Sequence, residues 1–353
     1  MQTTRIPVTL ITGFLGSGKT TLLNYLLRDP LLANSAVIVN EFGEINIDHL
    51  FVEKATEGII ELTNGCLCCN LRSDLVDTLV DLIDHTQKKY LKKFNRIIIE
   101  TTGLADPASI LQVLLNHPIL TQALEIDAVI TTFDVLNSPP ILESHPEIQK
   151  QLAFADKIIL TKTDLIDHII PLDFLTNKLK ALNPTAQIII SHSDQCNSHE
   201  LINKIIRNKK EGNIELKKWL PTVPHDHSHY QNFRAFSLDC NEPIHFATLK
   251  VFLNLLKDLY GEKLLRIKAI IALHDNPHSP LILHGVQTFF HPPIRLPKWP
   301  KGITKTRFVI ITHSVEKKAI QKLFDACLNK PALDTPDKTA ILDNPLLIPG
   351  VKF

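Results

Sequence analysis

Three thiols lie within four residues of one another in this chain. Cys66, Cys68 and Cys69 form the pattern C-x-C-C, and they are half of the six cysteines in the sequence. Neighbours this close cannot readily pair in a disulfide, which requires Cα atoms about 4.4 to 6.8 Å apart and suitably directed Cβ atoms. A tight loop that begins at Gly65 can instead turn three thiolates toward one soft metal ion such as Zn²⁺. The pattern therefore predicts a metal site whose fourth position is open or held by a weaker ligand.

The identity of that ion stays open, with zinc as the first choice. Cu(I) suits sulfur ligands, and Co²⁺ or Ni²⁺ can occupy the same cage. Glu41 and Glu44 follow a predicted strand, where each can be a ligand of Mg²⁺, the fourth ligand of the thiolate site, or only a solvated loop residue. The histidines of "HDHSH", His225, His227 and His229, can capture a metal and pass it on, or can belong to a solvated polar linker.

The segment "GFLGSGKT", residues 13–20, matches the phosphate-binding pattern G-x-x-x-x-G-K-[ST] between a predicted strand and a predicted helix. Its glycines let backbone amides form a cradle for phosphate oxygens at the positive end of the helix dipole. Lys19 reaches the β and γ phosphates, and the Thr20 hydroxyl is a ligand for Mg²⁺. A glycine turn that merely joins strand to helix would not require Lys-Thr-Thr. The predicted nucleotide-binding residues of this loop are Gly13, Gly16, Ser17, Gly18, Lys19, Thr20 and Thr21.

A second motif, "RIIIETTGLADP", ends a predicted buried strand with Glu100 and turns at Gly103. A carboxylate at such a strand end can hold Mg²⁺, directly or through water, and a glycine amide can meet the γ phosphate. The alternative is that Glu100 only caps the following turn.

A third motif, "TKTD" at residues 161–164, also follows a predicted strand. Asp164 can accept hydrogen bonds from the ring N–H and the exocyclic amine of guanine, while the stem of Lys162 lies along the base. Adenine lacks that pair of donors and would leave the carboxylate unpaired, so GTP is favoured over ATP.

The elements that carry these motifs alternate between short β-branched runs and amphipathic stretches. Near-continuous apolar strands separated by helices predict an α/β domain, with a mostly parallel sheet and flanking helices as in P-loop NTPases. The predicted strands are 6–12, 36–40, 96–100, 127–134, 157–161 and 187–191, and the predicted helices are 18–28, 71–90, 107–116, 146–155, 171–182 and 199–207.

The pattern changes at residue 208, where a charged, proline-punctuated and histidine-rich stretch predicts an interdomain linker. We therefore expect four parts: a nucleotide-binding domain at 1–207, a linker at 208–230, a smaller α+β domain at 231–330 and a tail at 331–353. The first domain includes the loop 65–69 with its three cysteines, here called the thiol loop. In the smaller domain we predict strands at 232–238, 264–273, 281–290 and 307–312 and helices at 244–258 and 315–328, in the order β-α-β-β-β-α.

Composition excludes several classes of partner. The 38 basic and 37 acidic residues give a formal net charge of +1, which provides no field for holding a nucleic-acid backbone. The sequence contains no uncharged apolar run of 18 residues that could span a membrane. The N-terminal segment lacks the long apolar region of a signal peptide. We therefore expect a cytoplasmic protein that binds neither nucleic acid nor membrane.

With "GFLGSGKT", "NEFGE", "GCLCC", "ETTGLADP", "TKTD" and "LLRIKA" in this order, the chain resembles the CobW-like family of metal-handling GTPases over nearly its whole length. Thr161 stands where Asn is more usual. The resemblance implies GTP hydrolysis to GDP and phosphate at a slow intrinsic rate, with Lys19 and Glu100 as catalytic residues and Mg²⁺ as cofactor. It also implies that Cys66, Cys68 and Cys69 are the metal thiolates. Members of the family can dimerise, so a homodimer is one expectation.

These observations together predict a GTP-dependent metallochaperone in which the nucleotide state sets metal affinity, so that hydrolysis releases the ion, most often zinc, to a client metalloprotein. Alternatives are a cobalt-handling GTPase of the cobalamin-synthesis type, a P-loop ATPase or kinase whose cysteines are incidental, and a metal reservoir that uses nucleotide only as a structural ligand. Guanine preference separates the ATPase or kinase from the predicted function, and metal-responsive turnover excludes the reservoir.

Overall fold

The computed structural model describes residues 5–30, 32, 34–39, 59–61, 71–87, 94–165, 172–191, 201, 220, 232–300 and 305–329. The thiol loop, Glu41, Glu44 and the "HDHSH" segment lie outside the described residues, as does the predicted helix 199–207 except for Leu201. Within the described ranges, no helix is both long and apolar enough to cross a membrane.

The first domain is built on a parallel sheet whose seven described strands run in the order β3-β2-β4-β1-β5-β6-β7. The strands β2 and β4 are buried along their whole length, as expected for a parallel sheet covered on both faces. The bounds are β1 Ile6–Gly13, β2 Ser35–Val39, β3 Ile59–Glu61, β4 Arg96–Glu100, β5 Leu124–Asp134, β6 Lys157–Thr161 and β7 Gln187–Ile190.

Seven described helices accompany this sheet. They are α1 Lys19–Leu27, α2 Leu71–Gln87, α3 Pro107–Asn116, α4 Pro118–Ala123, α5 Ser138–Ile141, α6 Pro146–Phe154 and α7 Leu172–Leu182. The apolar side of α1 packs on one face of the sheet, whereas α2, α3, α6 and α7 pack on the other. The predicted α/β fold is thus confirmed. The strand β3 and the helices α4 and α5 were not predicted.

The second domain contains a six-stranded sheet in the order β11-β10-β9-β13-β8, with β12 paired to β10. Its strand pairs are antiparallel. The bounds are β8 Phe233–Cys240, β9 Leu264–Leu273, β10 Asn276–Val286, β11 Phe289–Phe290, β12 Ile294–Arg295 and β13 Thr306–His313, with helices α8 Phe246–Tyr260 and α9 Lys317–Cys327. The prediction of one strand over 281–290 was wrong, because Gln287 adopts a φ of 50° and turns the chain between β10 and β11.

The two domains share a core. Residues of the second domain join the main apolar cluster of the first, namely Phe233, Ala235, Leu265, Val286 and Ile311. Three charged groups lie in the same seam: Asp156, whose side chain is 13% exposed, forms ion pairs with the buried Arg266 and, at 3.6 Å, with the buried Lys268. Burial lowers the pKa of Lys268 to about 7, although Asp156 acts in the opposite direction. The nearby cations more than offset the effect of burial on Asp156 and hold its pKa well below its usual range.

Candidate functional site

The residues predicted to bind the nucleotide lie at the carboxyl ends of neighbouring strands. The segment 13–20 follows β1, Glu100 ends β4, and Thr161 ends β6. Parallel strands bring these ends to one edge of the sheet, which is where α/β proteins bind ligands. Gly13 closes the turn tightly: its φ is 146°, and a Cβ there would lie 2.2 Å from Thr132 Oγ1. Only glycine fits that position.

The residues next along the loop are fixed by short contacts. Ser17 Oγ and Thr132 Oγ1 are 2.7 Å apart and fully buried, so β5 helps to hold the loop from below. Lys19 is largely buried and donates from Nζ to Phe14 O at 3.1 Å. The lysine therefore already lies along the inside of the loop. Gly16 and Gly18 flank Ser17, and Thr21 is exposed on the first turn of α1.

Two of the predicted magnesium ligands, Thr20 and Glu100, lie together. Thr20 Oγ1 donates to Glu100 Oε1 at 2.7 Å, although 80 residues separate them in the chain. A hydroxyl and a carboxylate oxygen at the phosphate loop are the hard oxygen donors that Mg²⁺ prefers. The residues present therefore fit this ion. Glu100 is 4% exposed, so its carboxylate is placed by the sheet and not by solvent.

The loop after Glu100 packs directly on the phosphate loop. Thr101 N donates to Ile11 O at 2.9 Å, and Thr101 Oγ1 donates to Thr12 Oγ1 at 2.9 Å. At Gly103 a Cβ would come within 2.6 Å of Leu15 N and 2.7 Å of Leu15 Cα. The two backbones can approach this closely only because residue 103 has no side chain.

At the other end of the site, Thr161 connects the "TKTD" segment to the phosphate loop. Its hydroxyl donates to Ser17 O at 2.8 Å and to Phe133 O at 3.3 Å. Asp164 follows in a short 3-10 turn, Thr163–Leu165, and is exposed. A side chain in that position is available to an incoming base.

Lys162 has a partner that the sequence did not reveal. Its Nζ donates to Asp134 Oδ2 at 2.6 Å, and its backbone adopts a φ of 60°. Asp134 also accepts from Leu136 N and from Asn137 Nδ2, at 2.9 and 2.8 Å. Burial opposes ionisation of Asp134, but these donors, Lys162 first among them, keep its pKa below the usual value. Asp134 thus fixes the lysine stem that we expect to lie along the base.

The predicted metal ligands Cys66, Cys68, Cys69, Glu41 and Glu44 fall outside the described residues. The described strands show only where those segments leave the sheet. Val39, at the end of β2, is in register with both Glu100 on β4 and Glu61 at the end of β3. Both segments therefore start at the edge that carries the phosphate loop. Among the residues that the structure describes, no group of three or more His, Cys, Asp or Glu side chains is arranged to hold a metal ion.

Known families and structures match most of this chain. The family described as CobW/HypB/UreG, nucleotide-binding domain, matches residues 7–190, and the cobalamin synthesis protein cobW C-terminal domain matches residues 233–328. The zinc chaperone YjiA of Escherichia coli is 32% identical over 290 residues, covering 81% of this chain and 87% of the relative. The zinc-regulated GTPase metalloprotein activator 1 of Schizosaccharomyces pombe is 32% identical over 191 residues, 52% of this chain and 45% of that protein.

A solved structure agrees with the fold over both domains. The crystal structure of the Zn(II)-bound YjiA GTPase from E. coli covers 92% of this chain and 99% of its own, with a TM-score of 0.68 and 25% sequence identity. The similarity therefore extends through the second domain as well as the nucleotide-binding domain.

Proposed function

The chain belongs to the CobW/HypB/UreG family and is a GTPase, and we propose that it is a metallochaperone whose GTP cycle controls the transfer of zinc to a client metalloprotein. One observation carries the proposal. The strands β2 and β3 end in register with Glu100, so the segments that contain Glu41, Glu44 and the three thiols start beside the magnesium and phosphate residues.

The contacts at the strand ends support the proposed nucleotide chemistry. When Mg²⁺ is bound it neutralises charge on the β and γ phosphates, and Thr20 and Glu100 are the residues that would hold it. Lys19 binds the phosphates, and Gly103 offers its amide to the γ phosphate from a loop that already touches Leu15. Asp164 selects guanine, with Lys162 held in place by Asp134.

The zinc ligands in this proposal are Cys66, Cys68 and Cys69, with Glu41 or Glu44 as a fourth, weaker ligand. Chain connectivity keeps them near the nucleotide. Cys66 is five residues from Glu61, so its Cα is at most about 18 Å from the end of β3. Glu61 is itself two strand spacings, about 10 Å, from Glu100. Zinc-binding thiolates within these distances of Glu100 are close enough for their zinc affinity to depend on the segment that follows β2.

Zinc is the cargo of the cycle. The YjiA structure with bound Zn(II) supports zinc, and the alternatives Co²⁺ and Ni²⁺ share the same ligand chemistry. We propose that Mg-GTP orders the segment after β2 and completes the cage, and that hydrolysis releases that segment and weakens zinc binding.

Zinc titration tests the coupling. The affinity for Zn²⁺ is measured with a competing chromophoric chelator, in the presence of either a non-hydrolysable GTP analogue or GDP. We expect tighter binding with the GTP analogue, by about 5- to 150-fold, which is the range of ordinary allosteric coupling. The Cys66→Ala/Cys68→Ala/Cys69→Ala variant should lose the tight site, whereas Cys327→Ala, which removes a thiol of the second domain, should not. Equal zinc affinities in the two nucleotide states would contradict the proposal.

The rival reading, an ATP-dependent enzyme with incidental cysteines, predicts different results. Such an enzyme would bind adenine nucleotides at least as well as guanine nucleotides, and its turnover would not respond to zinc. Asp164 is exposed, and its carboxylate can accept the pair of hydrogen bonds that guanine donates and adenine does not, which supports guanine.

A further inference from the structure

The helix α6 holds the loop that follows Glu100 through one buried side chain. Gln151 is 1% exposed, and its Nε2 donates to Gly103 O at 3.0 Å and to Ala105 O at 3.2 Å. Both donors of the carboxamide are therefore used on the backbone of the loop. Next to it on α6, Lys150 Nζ donates to Asp106 Oδ2 at 3.0 Å, which fixes the far end of the same loop.

The helix itself is fixed at both ends. Its last carbonyls accept from one side chain on the chain that follows α7: Asn183 Nδ2 donates to Leu152 O, Ala153 O and Ala155 O at 2.8, 3.2 and 2.9 Å. At its start, the ring of His145 lies edge-on to the ring of Phe14 in the phosphate loop, with centroids 5.1 Å apart. Gln151 thus projects from a rigid element that also touches the phosphate loop.

The side chain of Gln151 is not fully hydrogen-bonded. Its Oε1 is buried and accepts no hydrogen bond from any residue that the structure describes. A buried acceptor without a partner costs free energy. The hydrogen bonds that the Gln151 carboxamide does make are the two that Nε2 donates to the Gly103 loop.

We propose that Gln151 is a positioning residue for GTP hydrolysis, because it fixes the backbone of Gly103–Ala105 so that the Gly103 amide meets the γ phosphate. The inference rests on the role given to Gly103 in the proposed function, and it is independent of zinc. GDP has no γ phosphate, so the contribution of Gln151 should be specific to the triphosphate. Reaction geometry is demanding enough that a shift of about 1 Å can cost about 100-fold in rate.

The test compares two glutamines of the same helix. Gln151→Leu removes both donated bonds at nearly constant volume. Gln149→Leu is the matched control, because Gln149 is also buried and donates from Nε2 to two backbone carbonyls, Leu142 O at 2.8 Å and Glu143 O at 3.4 Å, but not to the Gly103 loop. Single-turnover GTP hydrolysis is measured without zinc, together with the affinities for fluorescent GDP and for a non-hydrolysable GTP analogue.

For Gln151→Leu we expect hydrolysis to slow by about tenfold or more and the affinity for the GTP analogue to fall, with GDP affinity within about twofold of the native protein. Gln149→Leu should leave all three quantities within about threefold while lowering the melting temperature. If Gln151→Leu does not fold, Gln151→Met tests the same bonds, since the unbranched methionine side chain has a similar length and has no group that donates to Gly103 O.

The following results distinguish the role of Gln151 from the role of the Gly103 loop. Native hydrolysis in a folded Gln151 variant, or equal losses of GDP and GTP-analogue affinity, would overturn the role of Gln151. Gly103→Ala is measured in parallel: if it slows hydrolysis and the Gln151 variants do not, only the present inference fails. If neither change affects hydrolysis, the assignment of the Gly103 loop to the γ phosphate fails as well.

Discussion

Replacing Asp156 by Asn should loosen the seam between the domains. Asp156 accepts from Val129 N at 3.0 Å and neutralises Arg266 and Lys268, whose side chains are only 5% and 3% exposed. An asparagine keeps an oxygen for Val129 N, so the perturbation is the loss of the negative charge. Removing one partner of a buried ion pair costs about 3 to 5 kcal/mol, because the other charge stays buried without compensation.

The lower end of that range is expected here. The pKa of Lys268 is already about 7, and without Asp156 that lysine can lose its proton instead of remaining a buried cation. Arg266 cannot do so, but it retains its hydrogen bond to Phe154 O. We therefore expect Asp156→Asn to lower the free energy of unfolding by about 3 kcal/mol at pH 7.5.

The second domain offers a matched control. Asp239 also binds one arginine and one lysine, with Arg307 Nε at 2.8 Å and Lys305 Nζ at 2.8 Å, but it is 29% exposed and lies within a single domain. Asp239→Asn should cost less, about 1 kcal/mol, because solvent screens this half-buried ion pair more than it screens the pair in the seam.

Urea unfolding followed by far-UV circular dichroism and by tryptophan fluorescence in a Trp219→Phe background measures both variants. Trp299 then reports on the second domain, where its Nε1 donates to Pro277 O. We expect the two signals to separate in Asp156→Asn and not in Asp239→Asn. Equal losses of stability in the two variants, with coincident signals, would refute the view that the buried charges join the domains.

Three further outcomes follow from the contacts described above. Gly103→Ala should slow GTP hydrolysis by about tenfold or more in a single-turnover assay, since its Cβ would overlap Leu15 N at 2.6 Å, and native turnover would contradict the close approach of the two loops. Asp164→Asn should reduce the affinity for GDP and shift preference toward xanthosine diphosphate in competition binding, whereas unchanged guanine affinity would remove Asp164 from the base site. Burial lowers the pKa of His284 well below its usual value and the pKa of His291 to about 4, and nearby Arg266 acts in the same direction. The stability that depends on these two neutral histidines is therefore fully present above about pH 6.5 and is lost as the pH falls toward 4. A urea unfolding midpoint that stays constant between pH 6.5 and pH 4 would contradict this.

The sequence predicts most of the first sheet because parallel strands buried on both faces leave long apolar runs. The strand β3 escaped prediction since its three residues are too few to establish a period. The turn at Gln287 escaped because a non-glycine residue with positive φ leaves no compositional signal. Local patterns therefore identify long elements and miss short ones.

The site divides in the same way. The residues Lys19, Thr20 and Asp164 belong to motifs with fixed spacing, so the sequence identifies them as candidates. Gln151 and Thr132 act through hydrogen bonds to residues 48 and 115 positions away, which no local pattern encodes. Asp134 did leave one signal, because it is a carboxylate at the end of a predicted strand, as Glu100 is.

The helix α6 is nine residues, about 13.5 Å, long. At its start His145 contacts Phe14 of the phosphate loop, and at its end Phe154 O accepts a hydrogen bond from Arg266 on β9. Energetic coupling between two binding sites is reciprocal. If the proposed client binds the second domain with different affinities in the GDP-bound and GTP-bound states, it must change the relative affinities for GDP and GTP by the same factor. The coupling between the recipient and the bound guanine nucleotide would then be one free energy, measurable from either side.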